Sequence, residues 1–301
     1  MTHLRSGGSR DGGKRAGDPV DVSTGFFYVD KTDVVLPGRL PVVITRTYRT
    51  NMSNSGPFGT GTSASFDISL QAPSNFNNQT IVLISPGNKQ DVFSRQANGT
   101  YINTTSPSLR GAVLTINGPT YSLRFKDGTI WGFNSSGFLI RQSDRNGNTI
   151  NYFRDNFGRV VNIQEPAGRS LAITYVGFPG QGFPNIRSIT DPIGRQVVYA
   201  YDASGRLETV TDPAGGVTRY TYDSANRMLT LRDPRGITFL TNEYDTNGRV
   251  SRQTQADGGV WAYAYTSSGT FISEAVVTNP RGHATTCRFN AAGYQISETD
   301  A

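Results

Sequence analysis

The chain has 301 residues, 36% of them hydrophobic and 17% charged, and a formal net charge of +6. That length suits one large β-domain or two smaller ones. The lone Cys287 excludes an internal disulfide framework, and no apolar run approaches the roughly 18 residues of a spanning helix, so no membrane span is expected.

Residues 1–16 read as a disordered, basic, Gly/Ser-rich tail, because a segment with almost no apolar residues cannot bury enough surface to order itself. Arg5, Arg10, Lys14 and Arg15 against Asp11 supply half of the net charge. No aromatic residue interleaves with them, so no nucleic-acid partner is expected. The tail also lacks the apolar core of a secretory signal. Residues 17–120 read as a β-rich N-terminal domain. Within it, strands are expected at Ser65–Leu70, Thr80–Ile84, Asp91–Phe93 and Val113–Ile116, separated by Pro, Asn and Gly turns. Tyr121–Phe133 reads as a hairpin around Lys126-Asp127-Gly128.

From 121 to 301 the sequence repeats. Its clearest copies are Tyr201-Asp202, Tyr222-Asp223 and Tyr244-Asp245, spaced by 21 or 22 residues, each followed by a turn and an arginine: Gly205-Arg206, Asn226-Arg227 and Gly248-Arg249. Taking the aspartate as the register mark, the marks fall at Asn134, Asp155, Val176, Asp202, Asp223, Asp245, Thr266 and Asn290; the residue before the mark is aromatic in every copy except that of Arg154. The copy at Val176 carries an insertion, Phe178–Pro184. A second turn follows the mark, at Asp191-Pro192-Ile193-Gly194, Asp212-Pro213-Ala214-Gly215 and Asp233-Pro234-Arg235-Gly236. Asp accepts from nearby backbone N–H groups, Pro presets φ and Gly takes the left-handed position.

Two turns per period leave room for two strands of about 5–6 residues. Alternation such as Val197, Tyr199, Tyr201 against Gln196, Val198, Ala200 supports them. The fold class expected is all-β: consecutive antiparallel hairpins in one long curved sheet without substantial helix, one face aromatic. The array stops inside its eighth unit, which predicts a fragment of a longer protein with an exposed last edge.

The Tyr-Asp-x-x-Gly-Arg units with interleaved Asp-Pro-x-Gly turns resemble the YD repeats of the Rhs family, which the extracellular teneurins share. Gly17-Asp18-Pro19-Val20, Thr24-Gly25, the run Thr32–Leu36 leading into Pro37-Gly38, Leu40-Pro41 and Arg46-Thr47-Tyr48 resemble the block that precedes the repeats in bacterial Rhs polymorphic toxins. The resemblance implies a partial β-shell that encloses a C-terminal toxin cargo, with the rest of the shell and secretion-apparatus proteins as further partners. It implies delivery to target cells without a Sec signal. The family's Asp-Pro-x-Gly-Leu self-cleavage signature is not matched, since Asp191-Pro192-Ile193-Gly194 ends in Arg195.

No catalytic, metal or cofactor residues are expected. His3 and His283 are far apart in sequence, and Asp202, Asp223 and Asp245 suit turn capping or pairing with arginine better than a calcium ladder. Cys287 reads as a buried strand thiol. The residues expected to matter are structural: Tyr201, Tyr222 and Tyr244 with Asp202, Asp223 and Asp245; Arg206, Arg227 and Arg249; Gly205 and Gly248; and the turns Asp212-Pro213-Gly215 and Asp233-Pro234-Gly236. A second expectation is an extracellular carbohydrate-binding or adhesion module that uses the aromatic face, with glycans as partners; a residual glycosidase ranks below both.

Overall fold

A computed structural model of the protein describes residues 15–52, 55–71, 79–177 and 184–300. Among these, every regular element is a β-strand apart from one 3-10 turn, Pro107–Leu109. Two sheets carry the fold. The larger has 22 strands, from Ser69–Gln71 to Gln295–Asp300, and each strand pairs antiparallel with its neighbours in sequence. No ladder among the described residues joins its last strand to its first.

The repeat explains this order. Each period is two strands and two four-residue turns of one design. In the first turn of a copy, Asp202 N–H donates to Arg206 O at 2.9 Å and Gly205 N–H to Asp202 O at 2.9 Å. The second turn repeats the pattern, with Asp212 N–H to Gly216 O at 2.9 Å and Gly215 N–H to Asp212 O at 3.0 Å. The glycine position requires positive φ: Gly205 lies at 72°, Gly215 at 86°, and Asn226, which replaces glycine once, at 63°. Beside each clear Tyr-Asp pair the register shifts, between Ala200 and Tyr201, Thr221 and Tyr222, and Glu243 and Tyr244. A bulge there bends and twists the strand.

The smaller sheet has five strands in the order Arg15–Ala16, Val20–Asp21, Phe26–Leu36, Val42–Arg49 and Thr62–Ala64. It lies against the array. Tyr48 packs on Tyr222 with ring centroids 6.0 Å apart, and Phe58 on Tyr199 at 4.9 Å. Ile186 N–H donates to Pro57 O at 2.7 Å and Val250 N–H to Gly25 O at 2.8 Å. Part of the aromatic face of the array is therefore covered by the N-terminal residues of the same chain.

Several sequence expectations shift. Arg15 and Ala16, assigned to a tail, form a strand; residues 1–14 and 178–183, the latter holding most of the expected insertion, lie outside the described residues. Strand pairing divides the chain between Ala64 and Ser69, and no division appears at 120, because Thr80–Ser85 through Tyr101–Ile102 already belong to the large sheet. The strand expected from Ser65 begins only at Ser69, because Asp67 holds a turn: its carboxylate accepts from Ala64 N–H at 2.7 Å. At Thr266 the expected Asp-type turn is absent. Without an aspartate to cap it, the strand continues as Val260–Ser268 and reverses at Gly269-Thr270.

The start of the large sheet also touches its own interior. Leu70 N–H donates to Gly137 O at 2.7 Å and Leu139 N–H to Ile68 O at 3.3 Å. Strand Ser69–Gln71 thus meets the turn before Leu139–Ser143, and the sheet must curl to allow it. At Gly137 a Cβ would stand 2.1 Å from Leu70 O, whereas at Gly215 it would meet nothing within 4 Å. Gly215→Ala should cost about 1–2 kcal/mol from left-handed strain alone. Gly137→Ala should cost clearly more in urea denaturation, because it also forces this junction apart; equal losses would show that the junction carries no strain.

Burial pushes the Asp67 carboxyl up to about 6, against lowering by the Ala64 hydrogen bond and the Arg154 charge. Because the folded value is raised, its stability contribution is full below about pH 4 and is lost as pH rises through about 6. Asp67→Asn stays neutral and should be about 1–3 kcal/mol more stable than the parent at pH 7.5. The gap should close near pH 4, as measured by denaturation at both pH values.

Candidate functional site

The repeating unit of interaction is a contact between successive copies. In each copy the aspartate caps its own turn: Asp202 Oδ1 accepts from Ser204 N–H at 2.9 Å and Arg206 N–H at 3.0 Å, and its Oδ2 accepts from Arg206 Nε at 2.6 Å. Asp223 does the same with Ala225, Arg227 and the Arg227 guanidinium. Asp245 caps through Asn247 and Arg249 N–H. The pairing is within a copy.

The arginine reaches the next copy, its guanidinium pinned by its own aspartate at Arg159, Arg206 and Arg227. Arg206 lies 5.2 Å from the Tyr222 ring centroid, Arg227 4.8 Å from Tyr244, Arg249 5.7 Å from Tyr265 and Arg159 5.0 Å from Tyr175. Arg206 Nη1 also donates to Asp223 O at 2.9 Å, and Arg249 Nη1 to Ser267 Oγ at 3.0 Å. A flat cation held in place over an aromatic ring adds a directional contact to the sheet ladder.

The tyrosine closes the link. Its hydroxyl donates to a main-chain carbonyl about 15 residues upstream: Tyr201 to Ile186 O at 2.6 Å, Tyr222 to Leu207 O at 2.9 Å, Tyr244 to Met228 O at 2.6 Å and Tyr265 to Val250 O at 2.9 Å. Burial raises all four phenols far above their ordinary range, so they remain O–H donors. Arg154, the one non-aromatic residue at this position, makes the equivalent bond: its Nε and Nη2 donate to Leu139 O at 3.2 and 3.0 Å, also 15 residues upstream. Its charge is compatible with burial because its Nη1 is satisfied by Gly158 O at 2.6 Å.

The second turns carry lighter contacts. Asp212 Oδ1 accepts from Ala214 and Gly216 N–H at 2.8 and 2.9 Å, and Asp233 Oδ1 accepts from Ile237 N–H at 2.9 Å. The Ile237 N–H lowers the Asp233 carboxyl most, helped by Arg235. Pro213 and Pro234 occupy the position after each aspartate, where a fixed φ suits the turn.

A third group of residues is absent from the sequence expectations. Arg46, Asp33, Tyr199 and Tyr220 join the small sheet to the array. Arg46 is 1% exposed; its Nε and Nη2 bind the two Asp33 oxygens at 3.0 and 3.2 Å, and Nη2 also donates to Tyr220 Oη at 3.1 Å. Tyr199 donates to Asp33 Oδ2 at 2.9 Å. Burial alone would lower the guanidinium, but Tyr220 and Asp33 outweigh it and hold the charge. Further on, Tyr48 Oη donates to Asn226 O at 3.1 Å and accepts from Met228 N–H at 2.9 Å, while Gln253 bridges Asp18, Asn242 and Tyr263. No signal in the sequence pairs residues 33 and 46 with 199 and 220. Only the Arg46-Thr47-Tyr48 run drew notice there. Cys287 is buried, and among the described residues no three of His, Cys, Asp or Glu gather as a metal would need. Among the same residues no helix is long and apolar enough to cross a membrane.

This is the architecture of a hairpin-repeat sheet whose copies are stapled to one another. Residues 185–217 and 201–238 match the family described as RHS Repeat, so this stretch of the chain carries Rhs repeats. Residues 17–93 match a family described as a domain of unknown function, DUF6531. No curated protein matches the chain. Among solved structures, it is similar to a chain of the Photorhabdus luminescens Tc holotoxin pore with the TccC3-D651A mutation, at 12% identity over 75% of this chain and 16% of that one, with a TM-score of 0.31. It is also similar to a chain of TcdB2-TccC3 without the hypervariable C-terminal region, at 10% identity over 97% of this chain and 23% of that one, with a TM-score of 0.31. The protein thus spans less than a quarter of the length of these chains.

Tyr222→Phe leaves Leu207 O without its donor and should cost about 1–2 kcal/mol. Arg206→Ala removes the ring contact and the bond to Asp223 O. In a double-mutant cycle between Arg206→Ala and Tyr222→Leu, which removes the ring itself, the two changes should couple by about 0.5–1 kcal/mol. Additive losses would mean that the arginine and tyrosine act independently.

Proposed function

We propose that this chain is a wall segment of an Rhs-type shell, a non-enzymatic part whose task is to enclose a C-terminal toxin cargo encoded by the same gene. The observation that carries this reading is the unbroken ladder from Ser69 to Asp300, in which chain order is strand order and the Arg–Tyr staple recurs from copy to copy. Such a sheet grows by adding hairpins, and its stability is close to a sum over neighbour contacts. The Rhs repeat match supports the same reading. The partners are then the remaining shell, the cargo and the apparatus that exports them, and the location is outside the producing cell.

The adhesion reading, with glycans stacked along the repeat tyrosines, is disfavoured by packing. Tyr199, Tyr220 and Tyr263 are buried, and the hydroxyls of Tyr201, Tyr222, Tyr244 and Tyr265 are committed to main-chain carbonyls.

The test is limited proteolysis of the full-length gene product. A downstream domain should resist digestion in the intact protein and become cleavable at least ten times faster in an Arg206→Ala, Arg227→Ala variant. Equal cleavage in both proteins, or a coding region with no downstream domain, would overturn the proposal.

A further inference from the structure

The chain contains four Asn-Gly pairs, at Asn98-Gly99, Asn117-Gly118, Asn146-Gly147 and Asn247-Gly248. Asparagine before glycine is chemically labile, because glycine has no Cβ to keep its main-chain nitrogen away from the asparagine side chain. That nitrogen can act only when its N–H is not already committed. In three pairs it is committed. Gly99 N–H donates to Gln96 O at 2.9 Å, Gly147 N–H to Asp144 O at 3.1 Å and Gly248 N–H to Asp245 O at 3.0 Å. Each bond closes a four-residue turn, and a side chain pins each turn again. Asn98 Oδ1 accepts from Thr100 N–H and Oγ1 at 3.1 and 2.8 Å, while Asp144 and Asp245 Oδ1 accept from Asn146 and Asn247 N–H at 2.8 and 2.9 Å.

Asn117-Gly118 is built differently. Strands Val113–Asn117 and Thr120–Arg124 pair as far as Asn117 and Thr120, which leaves Gly118 and Pro119 as a two-residue loop with Gly118 at φ 59°. Among the described residues no hydrogen bond engages Gly118 N–H or the Asn117 side chain. Both residues are exposed, and a Cβ built on Gly118 would meet nothing within 4 Å, so nothing crowds the loop. What holds Asn117 is the last cross-strand pair, with Thr120 Oγ1 donating to Asn117 O at 2.9 Å. A terminal pair at an exposed hairpin tip opens more readily than a turn closed by main-chain and side-chain bonds together.

We propose that Asn117 is a self-modification site, converted to isoaspartate and aspartate by the main-chain nitrogen of Gly118 while the other three Asn-Gly pairs persist. When the tip opens, the Gly118 nitrogen loses its proton to solvent base and bonds to Asn117 Cγ, closing a five-membered succinimide. The Cγ–Nδ2 bond breaks and Nδ2 leaves as ammonia. Water then opens the ring at either carbonyl, giving aspartate or an isoaspartate whose main chain is one methylene longer. That longer chain no longer sets residue 117 opposite Thr120 across a two-residue loop, so the product loosens this hairpin. The inference rests on turn geometry and does not depend on the shell reading.

The intact protein is incubated at mildly alkaline pH, folded and in urea, and each asparagine is followed by peptide mapping, with isoaspartyl methylation to mark isoaspartate. In the folded protein Asn117 should convert at least ten times faster than Asn98, Asn146 or Asn247, whereas in urea all four should convert at similar rates. Asn117→Ser should abolish the fast release of ammonia and leave the melting temperature unchanged. The proposal is overturned if Asn117 persists in the folded protein while the urea sample converts, or if any of the other three keeps pace with it. It is overturned equally if the same ranking holds in urea, or if Asn117→Ser releases ammonia as the parent does.

Discussion

A hydrogen bond from each repeat tyrosine to a carbonyl in an earlier hairpin is the contact on which this architecture depends. Sheet ladders hold adjacent strands, but a long open sheet can still shear and flatten between them. The Tyr222 hydroxyl bound to Leu207 O, and its counterparts in the neighbouring copies, tie each Tyr-Asp strand back to the start of the strand that precedes its own partner turn. The arginine then fixes the opposite side of the same ring, since Arg206 is held by Asp202 while it lies over Tyr222. One aspartate therefore performs two tasks: it closes its own turn and aims a cation at the next copy. Tyrosine supplies both a ring face and a donor at the ring's far end, whereas Phe133 and Phe289, which hold the same place in two other copies, supply only the ring.

The Arg154 copy separates these requirements. Where the aromatic residue is missing, a guanidinium donates to Leu139 O across the same interval. The main-chain bond is retained while the ring contact is replaced by the approach of Arg154 to Phe138, at 5.0 Å. The satisfied carbonyl is thus the feature that two different side chains preserve. A carbonyl buried at a bulge has lost its ladder partner and must find another donor.

Much of this was legible in the sequence because its determinants are local. An aspartate and a glycine three residues apart set a turn whatever surrounds them, so Asp202 to Gly205 and Asp212 to Gly215 announce themselves, and alternation between turns marks the strands. The copy at Thr266 departed from expectation for the same reason, since it lacks the aspartate that ends the others. The residues that settle how the aromatic face is covered were not legible. Arg46 meets Tyr220 across 174 positions and Tyr199 meets Asp33 across 166, so no spacing rule connects them. The role expected of the tyrosines as a wall was general enough to miss that their hydroxyls differ: those of Tyr199 and Tyr220 bond to the N-terminal sheet, whereas those of Tyr201 and Tyr222 bond within the array.

That difference bears on how such a sheet can serve as a wall. An aromatic face open to solvent invites association with anything apolar, and a sheet built by adding hairpins exposes more of it with every copy. Here the strands Phe26–Leu36 and Val42–Arg49 cover part of that face, joined to it by an ion pair, phenolic hydroxyls and Gln253 as well as by apolar packing. Polar groups buried at such a junction must align to be satisfied, so they specify where the cover sits along a repetitive surface, on which apolar contact alone would allow it to slide by one copy. Asn242 stands where neighbouring copies have Tyr199, Tyr220 and Tyr263, and such a departure from the repeat supplies register that the repeat by itself cannot.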